Sequence, residues 1–345
     1  MRHFTPTEKC GLLADHLDKK LSSQPHPSRL QKQLPPNTEA HIQTLPGTRR
    51  PPDYASKLPP RPAPYKKKVV GSFEPFSATE VYRAIHSLSK SKAAGPDGYT
   101  AEVYQNLPGI LQPLQDLFNA IMSTGHIPLP MLKLHIAPLG KPTRDPEACG
   151  SKRPISLLDA LSKMLETLVL ARMVAGAEMR LDGRQYAYRP HRGTETHLTK
   201  LHDFVRDAQN QRHPIYIPAV DVDSAFDPAP HGALVTTVED RNVDPDICRY
   251  IHNWLVFRIF SVRLASPKGR FFSNWRPIGR GVPQGGVLSP YLWLLHIDKL
   301  FAGVERRREM LTTDLPLTPA NFLDSLYADD ILRAIAHPNL EHHMR

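Results

Sequence analysis

Few cysteines and no long apolar run occur in this sequence, and both shortages exclude whole classes of protein. Its 345 residues include three cysteines, Cys10, Cys149 and Cys248, with no paired spacing. Neither a disulfide framework nor a zinc module is therefore expected. No apolar stretch approaches the ~20 residues that a membrane-spanning helix needs, and the first residues lack the apolar region of a signal peptide. We therefore expect an intracellular protein with no membrane partner.

Positive charge is in excess, but it is unevenly distributed. The formal net charge is +10, and residues 1–70 carry thirteen Lys or Arg against five Asp or Glu. The same segment is rich in proline, so it predicts a basic tail that is extended or disordered, with a short helix near residues 10–21. Such a tail would serve as an arm that holds nucleic acid or as a nuclear-import signal. An equally good interpretation is a solvated linker.

Two adjacent carboxylates, Asp329 and Asp330, lie between the apolar runs 322–326 and 331–336. Neighbouring strand residues point to opposite faces, so both acids can serve one site only where the chain turns. The pattern predicts a hairpin with the acids at its tip. Adjacent carboxylates repel unless they are solvated or bind a cation, for which Mg²⁺ with its oxygen ligands is the natural choice. For the tetrapeptide 327–330 taken alone, a solvated acidic turn remains the simpler interpretation.

A second acidic cluster follows an apolar strand at residues 215–227, where Asp221 and Asp223 are two residues apart and so share one face. A strand end with acids beside a hairpin tip with acids outlines a two-metal site for phosphoryl chemistry. Pro218 removes one backbone donor from this strand, which is tolerated only at an edge or a bulge. An Asp-x-Asp pair also occurs in metal-dependent sugar transferases, or where a strand ends in a solvated turn.

Several motifs in order resemble those of one family, the reverse transcriptases of non-LTR, LINE-type retrotransposons. Residues 219–227 (AVDVDSAFD), 281–290 (GVPQGGVLSP) and 327–330 (YADD) are similar to its first three palm motifs. Residues 92–98, 138–142, 152–158 and 185–194 are similar to its fingers motifs. The resemblance runs from about Phe76 to the end of the sequence, and so many motifs in order make coincidence a poor explanation.

The resemblance implies an α+β fold, that of a right-hand polymerase. Fingers and palm would occupy residues 71–345, with the palm motifs mainly in 211–345 and an antiparallel palm sheet packed on helices. The implied function is RNA-directed DNA polymerase, with an RNA template, a DNA primer and a deoxynucleotide as partners. A retroelement identity also implies the nucleus, although the sequence itself does not show it, and the oligomeric state stays open.

Catalytic roles are implied for three aspartates. Asp221, Asp329 and Asp330 would hold two Mg²⁺ ions, with Mn²⁺ as the alternative, and the carbonyl of Val222 would complete the coordination. The primer hydroxyl would then attack the α-phosphate of the nucleotide.

Nucleotide contacts are implied at four positions. Lys141 and Arg153 would hold the triphosphate, the ring of Phe226 would exclude a ribose 2′-hydroxyl, and Gln284 would bind template or nucleotide. Ordinary surface charge is the competing interpretation for the two basic residues, and simple core packing for Phe226.

Template contacts are implied at Arg189, Arg192 and Gly285. The competing account for the two arginines is a surface loop that caps the following helix. Close to the acidic strand, Asp227 has the character of a helix N-cap.

Two departures from the family pattern limit the expected activity. Gly286 replaces a serine common in relatives, and only fifteen residues follow Asp330. The family continues into a palm motif with a lysine and then a helical thumb, so we expect a fragment or a decayed copy with the thumb missing. The alternative function is a catalytically silent remnant that only binds nucleic acid.

Helix signals frame these motifs. Ser77 and Glu80 form a capping box, and apolar spacing predicts helices over residues 110–123 and 159–173, a further amphipathic helix with Leu198, Leu201, Phe204 and Val205, and a helix that begins near Leu288. A hairpin is predicted around residues 267–269.

Overall fold

The computed structural model describes residues 5–21, 65, 73–142, 144–145, 148–222, 226–267, 269–311 and 321–338, apart from the side chains of residues 179 and 302–311. Asp223 and most of the predicted tail lie outside these residues. Within the described part of the chain, no helix is both long and apolar enough to cross a membrane.

The described helices are α1 (Pro6–Leu21), α2 (Ala78–Ser87), α3 (Ala101–Asn106), α4 (Leu111–Thr124), α5 (Leu129–Leu132), α6 (Ala160–Ala177), α7 (Thr194–Asn210), α8 (His231–Glu239), α9 (Pro245–Val256) and α10 (Ser289–Leu311). The described strands are β1 (Lys133–Gly140), β2 (Lys152–Leu158), β3 (Ile215–Tyr216), β4 (Ala219–Asp221), β5 (Ile259–Ser266), β6 (Gly269–Phe272), β7 (Arg276–Pro277), β8 (Phe322–Tyr327) and β9 (Asp330–Ala336). Helices and sheets together give the predicted α+β class.

Two compact units divide the chain, and each is built from two separate segments. The first unit comprises Met1–Val174 and Phe226–Ser289, and the second comprises Ala175–Ala225 and Pro290–Arg345. The division is therefore discontinuous in sequence. The predicted boundaries of tail, fingers and palm stay a prediction.

Helix α1 belongs to the hydrophobic core of the first unit. Five of its side chains are at most 8% exposed and pack against the strands of that unit, namely Cys10, Leu13, Ala14, Leu17 and Leu21. The short helix predicted at residues 10–21 is present, but it begins at Pro6. An extended tail is wrong for this segment, because its apolar stripe covers a sheet instead of facing solvent.

Local signals set the ends of the next helices as predicted. The hydroxyl oxygen of Ser77 accepts from the backbone N–H of Glu80 at 3.3 Å, and the Glu80 carboxylate accepts from the N–H of Ser77 at 2.9 Å. This capping box starts α2. Helix α4 ends at Gly125, whose φ of 70° is the left-handed conformation that glycine adopts without strain.

The sheet of the first unit is mixed. Its strand order is β2-β1-β5-β6, and β7 pairs with β5. Strand β1 is antiparallel to β2 and parallel to β5. The predicted hairpin around residues 267–269 is confirmed by the antiparallel pairing of β5 with β6.

The sheet of the second unit is entirely antiparallel in its described strands, as predicted for the sheet that carries the acids. Strand β9 pairs with β8 on one side and with β3 and β4 on the other. Helix α7 packs on β8. Leu198, assigned to the apolar face of α7, is 61% exposed and so is not part of that packing.

Pro218 interrupts the acidic strand without shifting its register. Tyr216 lies opposite Ile335 and Ala219 lies opposite Leu332, so β3 and β4 follow the same alignment along β9. The carbonyl oxygen of Pro218 still accepts from the N–H of Arg333 at 3.2 Å. The proline lies at the edge of the described sheet, which is where the missing donor is tolerated.

Candidate functional site

The Asp329–Asp330 pair lies at the tip of a hairpin, as predicted. Tyr327 ends β8 and pairs with Asp330, the first residue of β9, so only Ala328 and Asp329 form the turn. Ala328 has a φ of 60°, which is uncommon outside glycine, asparagine and aspartate. The turn is supported by the indole N–H of Trp293, which donates to the carbonyl of Ala328 at 3.2 Å.

Asp221 is brought to this tip by the pairing of β4 with β9. Its direct partner across the strands is Asp330, and directly opposed residues have their Cβ atoms about 5 Å apart. The N–H of Val222 donates to the carbonyl of Asp329 at 3.2 Å, which extends the pairing by one residue into the turn. Three predicted catalytic aspartates thus lie at one end of one sheet.

Electrostatic repulsion is present at this tip. Burial raises the pKa of Asp329, and the charges of Asp330 and Asp221 raise it further. Among the described residues, no group of three or more His, Cys, Asp or Glu side chains is close enough together to hold a metal ion. The donors available at the tip are oxygens and carry excess negative charge, a combination that fits a hard divalent cation.

An aromatic and histidine cluster supports the hairpin from α7, and sequence reasoning did not identify it. His197 Nε2 lies 2.7 Å from Ser325 Oγ on β8. The His197 ring stacks between Tyr186 and Tyr327, with centroid distances of 5.1 and 6.0 Å. Burial lowers the pKa of His197, whereas the charge of Asp330 opposes that shift. This cluster therefore couples α7 to the acidic tip.

Tyr188 is an exposed aromatic residue that interacts electrostatically with Asp329. It is 44% exposed and has a φ of 56°, a strained conformation for a side chain of this size. Its pKa is raised first by burial and then by the charge of Asp329. The predicted template motif at 185–194 thus includes a strained residue beside the acids.

Arg189 and Arg192 are both engaged by their own loop. The Arg189 side chain is 6% exposed, pairs with Glu178 at 2.7 Å and donates to the carbonyl of Asp182 at 2.6 Å. Arg192 donates to the carbonyls of Gly183 and Gln185. These contacts give the arginines a structural role within their own loop, most clearly buried Arg189, whereas the cap of α7 is formed by Gly193 and Thr196.

Lys141 and Arg153 lie at the same end of the β1–β2 hairpin in the first unit. Arg153 pairs with Leu139 in the strand register, and the N–H of Lys141 donates to the carbonyl of Ser151 at 2.8 Å. Arg153 is exposed and Lys141 is half-buried. The hairpin therefore has two basic residues at one end, and their predicted role in phosphate binding stays a prediction.

The glycine-rich loop at 281–286 is tied to β2 of this hairpin. The carbonyl of Gln284 accepts from the N–H of Ser156 at 2.6 Å. A Cβ at Gly285 would lie 2.5 Å from the carbonyl oxygen of Ser156, and Gly285 has a φ of 123°. Only glycine fits there. Gly285 is exposed, so its backbone is open to a ligand.

Phe226 and Asp227 contact the other end of the same loop through their backbones. The carbonyl of Phe226 accepts from the N–H of Val282 at 2.9 Å, and a Cβ at Gly281 would lie 2.5 Å from the carbonyl oxygen of Asp227. The predicted N-cap role of Asp227 is wrong, because α8 begins at His231 with Pro230 as its N-cap. Asp227 is instead buried, and its carboxylate accepts from Gln284 Nε2 at 3.4 Å.

A buried carboxylate, which sequence reasoning also missed, holds the end of the loop. Glu166 is 0% exposed, and its Oε1 accepts from Trp254 Nε1 at 2.8 Å and from Arg258 at 2.7 Å. Its Oε2 accepts from the N–H groups of Val287 and Leu288 at 2.7 and 3.4 Å. A carboxylate in the strongly apolar sequence of α6 was the available signal.

Comparison with known proteins identifies the family. The family model described as reverse transcriptase (RNA-dependent DNA polymerase) matches residues 140–345, which is more than half of the chain. The chain belongs to this family. The sequence-based identification is therefore confirmed, and the α+β fold is the fingers-and-palm fold of this family. Members of the family generally use divalent metal ions.

The relatives come from mobile elements. The RNA-directed DNA polymerase from mobile element jockey of Drosophila melanogaster is 29% identical over 265 residues, 74% of this chain and 27% of that protein. The Pol polyprotein of the type-1 retrotransposable element R2 of Nasonia vitripennis is 30% identical over 228 residues, 66% of this chain and 21% of that protein. The chain thus spans about a quarter of the length of these relatives.

Among solved structures, the chain matches apo telomerase from Candida tropicalis, truncated from its C-terminal domain. It has 11% sequence identity and a TM-score of 0.41, and the match covers 71% of this chain and 51% of that chain.

Proposed function

We propose that this chain is the polymerase core of a retrotransposon enzyme, which copies an RNA template by adding deoxynucleotides to a DNA primer. The observation that carries the proposal is the strand register that sets Asp221 directly opposite Asp330, with Asp329 in the adjoining turn. Three carboxylates at one sheet end, in a chain of the reverse transcriptase family, match the chemistry of nucleotidyl transfer.

Asp221, Asp329 and Asp330 are the proposed ligands for two Mg²⁺ ions, with Mn²⁺ as the alternative, and the carbonyl of Val222 is proposed as a further ligand. Bound there, the metal ions would supply charge stabilisation and an activated primer hydroxyl. The residues themselves contribute a preset alignment, since the β4–β9 pairing fixes their backbones before any ligand arrives. Burial raises the pKa of Asp329 and repulsion by Asp330 and Asp221 adds to the shift; a divalent cation would relieve that repulsion.

Lys141 and Arg153 are the proposed triphosphate contacts. Their support is the shared hairpin end, where an exposed guanidinium can donate two hydrogen bonds to phosphate oxygens and the lysine adds a mobile charge. Phe226 is the proposed sugar-selecting ring, and Gln284 is the proposed base or template contact. Gln284 is part of the 281–286 loop, and Phe226 is hydrogen-bonded to that loop through its carbonyl, so the loop would orient both residues together.

Gly285 and Arg192 are the proposed template contacts. Gly285 offers exposed backbone where no side chain fits. Arg192 is half-buried, and its guanidinium lies 5.6 Å from the ring centroid of the buried Tyr186, so the partly exposed charge of Arg192 is the group proposed to contact a template phosphate. For Arg189 we propose a structural role, given its buried ion pair with Glu178.

Primer extension on an RNA template with Mg²⁺ tests the proposal, with Asp329→Asn as the variant. Losing a metal-ligating carboxylate should lower extension at least a hundredfold, a loss in line with the removal of one electrostatic transition-state contact. Asp203→Asn is the matched control, because Asp203 lies on α7 with 45% of its side chain exposed. Extension by the unsubstituted chain that survives Asp329→Asn would contradict the proposed site. Absent extension with salt-sensitive RNA binding would instead support the silent remnant.

A further inference from the structure

Helix α1 contacts the nucleotide-binding part of the first unit, although it lies outside the residues 140–345 that match the family. Its last turn meets the segment that leads into the glycine-rich loop. The carbonyl of Leu21 accepts from the N–H groups of Gly279 and Arg280 at 2.8 and 2.9 Å. A helix C-terminus normally leaves such carbonyls to solvent or to a capping residue.

A second contact from the same turn reaches Asp227. Lys20 Nζ lies 2.7 Å from Asp227 Oδ2, and the Asp227 side chain is 7% exposed while that of Lys20 is 38% exposed. A buried carboxylate needs such a partner, because an ionised group out of water is otherwise costly. The lysine therefore holds the carboxylate of Asp227 in its orientation.

Asp227 passes this constraint to the proposed nucleotide contacts. Its other carboxylate oxygen accepts from Gln284 Nε2, and its backbone lies against Gly281. The preceding residue, Phe226, bonds Val282 through its carbonyl. Lys20, Asp227 and Gln284 thus form one chain of polar contacts from α1 to the loop.

Helix α1 is itself firmly anchored, so its last turn is a fixed reference point. Cys10 and Leu17 are buried in the core under the sheet. On the outer side, Arg276 forms ion pairs with Asp15 at 2.5 Å and with Asp18 at 3.2 Å. Arg276 is in β7, shortly before Gly279, so these pairs hold the helix at the same end of the loop.

We propose that Lys20 is a positioning residue for the polymerase reaction, which acts through Asp227 to hold Gln284 and Phe226 in place for the incoming nucleotide. The inference rests on the proposed function for its effect on catalysis. Its structural half, the control of the 279–284 segment by Lys20, is independent of any activity.

Lys20→Met tests both halves, with Lys19→Met as the matched control because Lys19 is the exposed neighbour on α1. Methionine keeps the unbranched shape and most of the length of the side chain and removes its charge. Hydrogen exchange should accelerate about tenfold in residues 279–284 for Lys20→Met and stay unchanged for Lys19→Met, as expected for the loss of one charge-assisted contact. Unchanged exchange in that segment would overturn the proposal, whether or not the chain extends primers.

Steady-state kinetics then test the effect on catalysis. Lys20→Met should raise KM for deoxynucleotide about tenfold with a smaller change in kcat, and Lys20→Arg should restore most of the loss. A general loss of folding would lower the active fraction, and so kcat, without moving KM. An unchanged KM in Lys20→Met, or no rescue by arginine, would overturn the positioning role. Absence of extension by the unsubstituted chain would count against the proposed function alone, since the exchange measurement still decides the structural half.

Discussion

Replacing Glu166 by glutamine tests how strongly the buried carboxylate stabilises the first unit. The carboxylate receives four donors, two on each oxygen, and both it and Arg258 are at most 1% exposed. Burial raises the pKa of Glu166, and the charge of Arg258 opposes that shift. The Glu166–Arg258 ion pair is therefore stabilised by protein contacts and not by solvation.

The expected loss follows from those contacts. Glutamine keeps one oxygen and presents an amide NH₂ in place of the other, so in either orientation two donors face another donor. Arg258 would also remain buried without its counter-charge, and its Nη1 already lacks a hydrogen-bond partner. Breaking a buried pair from one side costs roughly 3–5 kcal/mol, a large part of the ~5–15 kcal/mol that stabilises a typical domain.

Urea denaturation followed by circular dichroism measures the change in the free energy of unfolding. Glu74→Gln is the control, because Glu74 pairs with Arg172 at 3.3 Å with 82% of its side chain exposed, and it should change stability by less than ~1 kcal/mol. A double variant, Glu166→Gln with Arg258→Met, should recover part of the loss, since it removes the unpaired buried charge while the amide oxygen can still accept from Val287 and Leu288. A loss below ~1 kcal/mol in Glu166→Gln would refute the reasoning.

Two further predictions concern the same unit. Burial lowers the pKa of His231 to about 4, and its Nε2 lies 3.0 Å from the carbonyl of Gly281. In the unfolded chain the pKa of histidine is about 6.5, so neutral His231 contributes its full stabilisation above pH 6.5. That stabilisation is lost progressively as the pH falls from 6.5 towards 4. The loss of stability between pH 7.5 and 5.5 should therefore be about 1 kcal/mol smaller in His231→Gln, which keeps a donor, than in the unsubstituted chain. Buried His135, with a pKa of about 4, adds a similar loss to both chains. An equal loss in both chains would count against the prediction. Gly285→Ala should destabilise the chain by about 1–3 kcal/mol through its positive φ and its clash with Ser156. The control Gly232→Ala, with open space around it in α8, should be neutral or stabilising, and equal melting temperatures for the two variants would contradict the argument.

Local patterns were sufficient to predict much of the fold. The capping box at Ser77 and the stop at Gly125 depend on bonds within a few residues, so they could be identified from sequence. The hairpin at Asp329 was predicted for the same reason, because apolar runs on both sides of two acids leave the chain one place to turn. Helix ends were less accurate: α6 continues to Ala177, four residues beyond the predicted end.

Long-range contacts were not predictable in this way. The pairing of Lys20 with Asp227 joins residues 207 positions apart, and no local pattern distinguishes this lysine from Lys19. Asp227 was predicted as an N-cap because aspartate is strongly preferred at that helix position. In the structure its carboxylate pairs instead with Lys20, which is far away in sequence. Arg189 likewise lies in a motif that predicts a template contact, but in the structure it forms a buried ion pair with Glu178.

The sequence by itself determined the family, the acidic motifs and the helices that frame them, because these depend on residue identity and on spacing along the chain. Only the tertiary structure decided which residues those motifs meet. It set Asp221 opposite Asp330, brought α1 against the glycine-rich loop and buried Glu166 beneath it. The physical reason is that burial and pairing are properties of the folded neighbourhood. The free energy of a charge depends on partners that the linear order of residues does not specify.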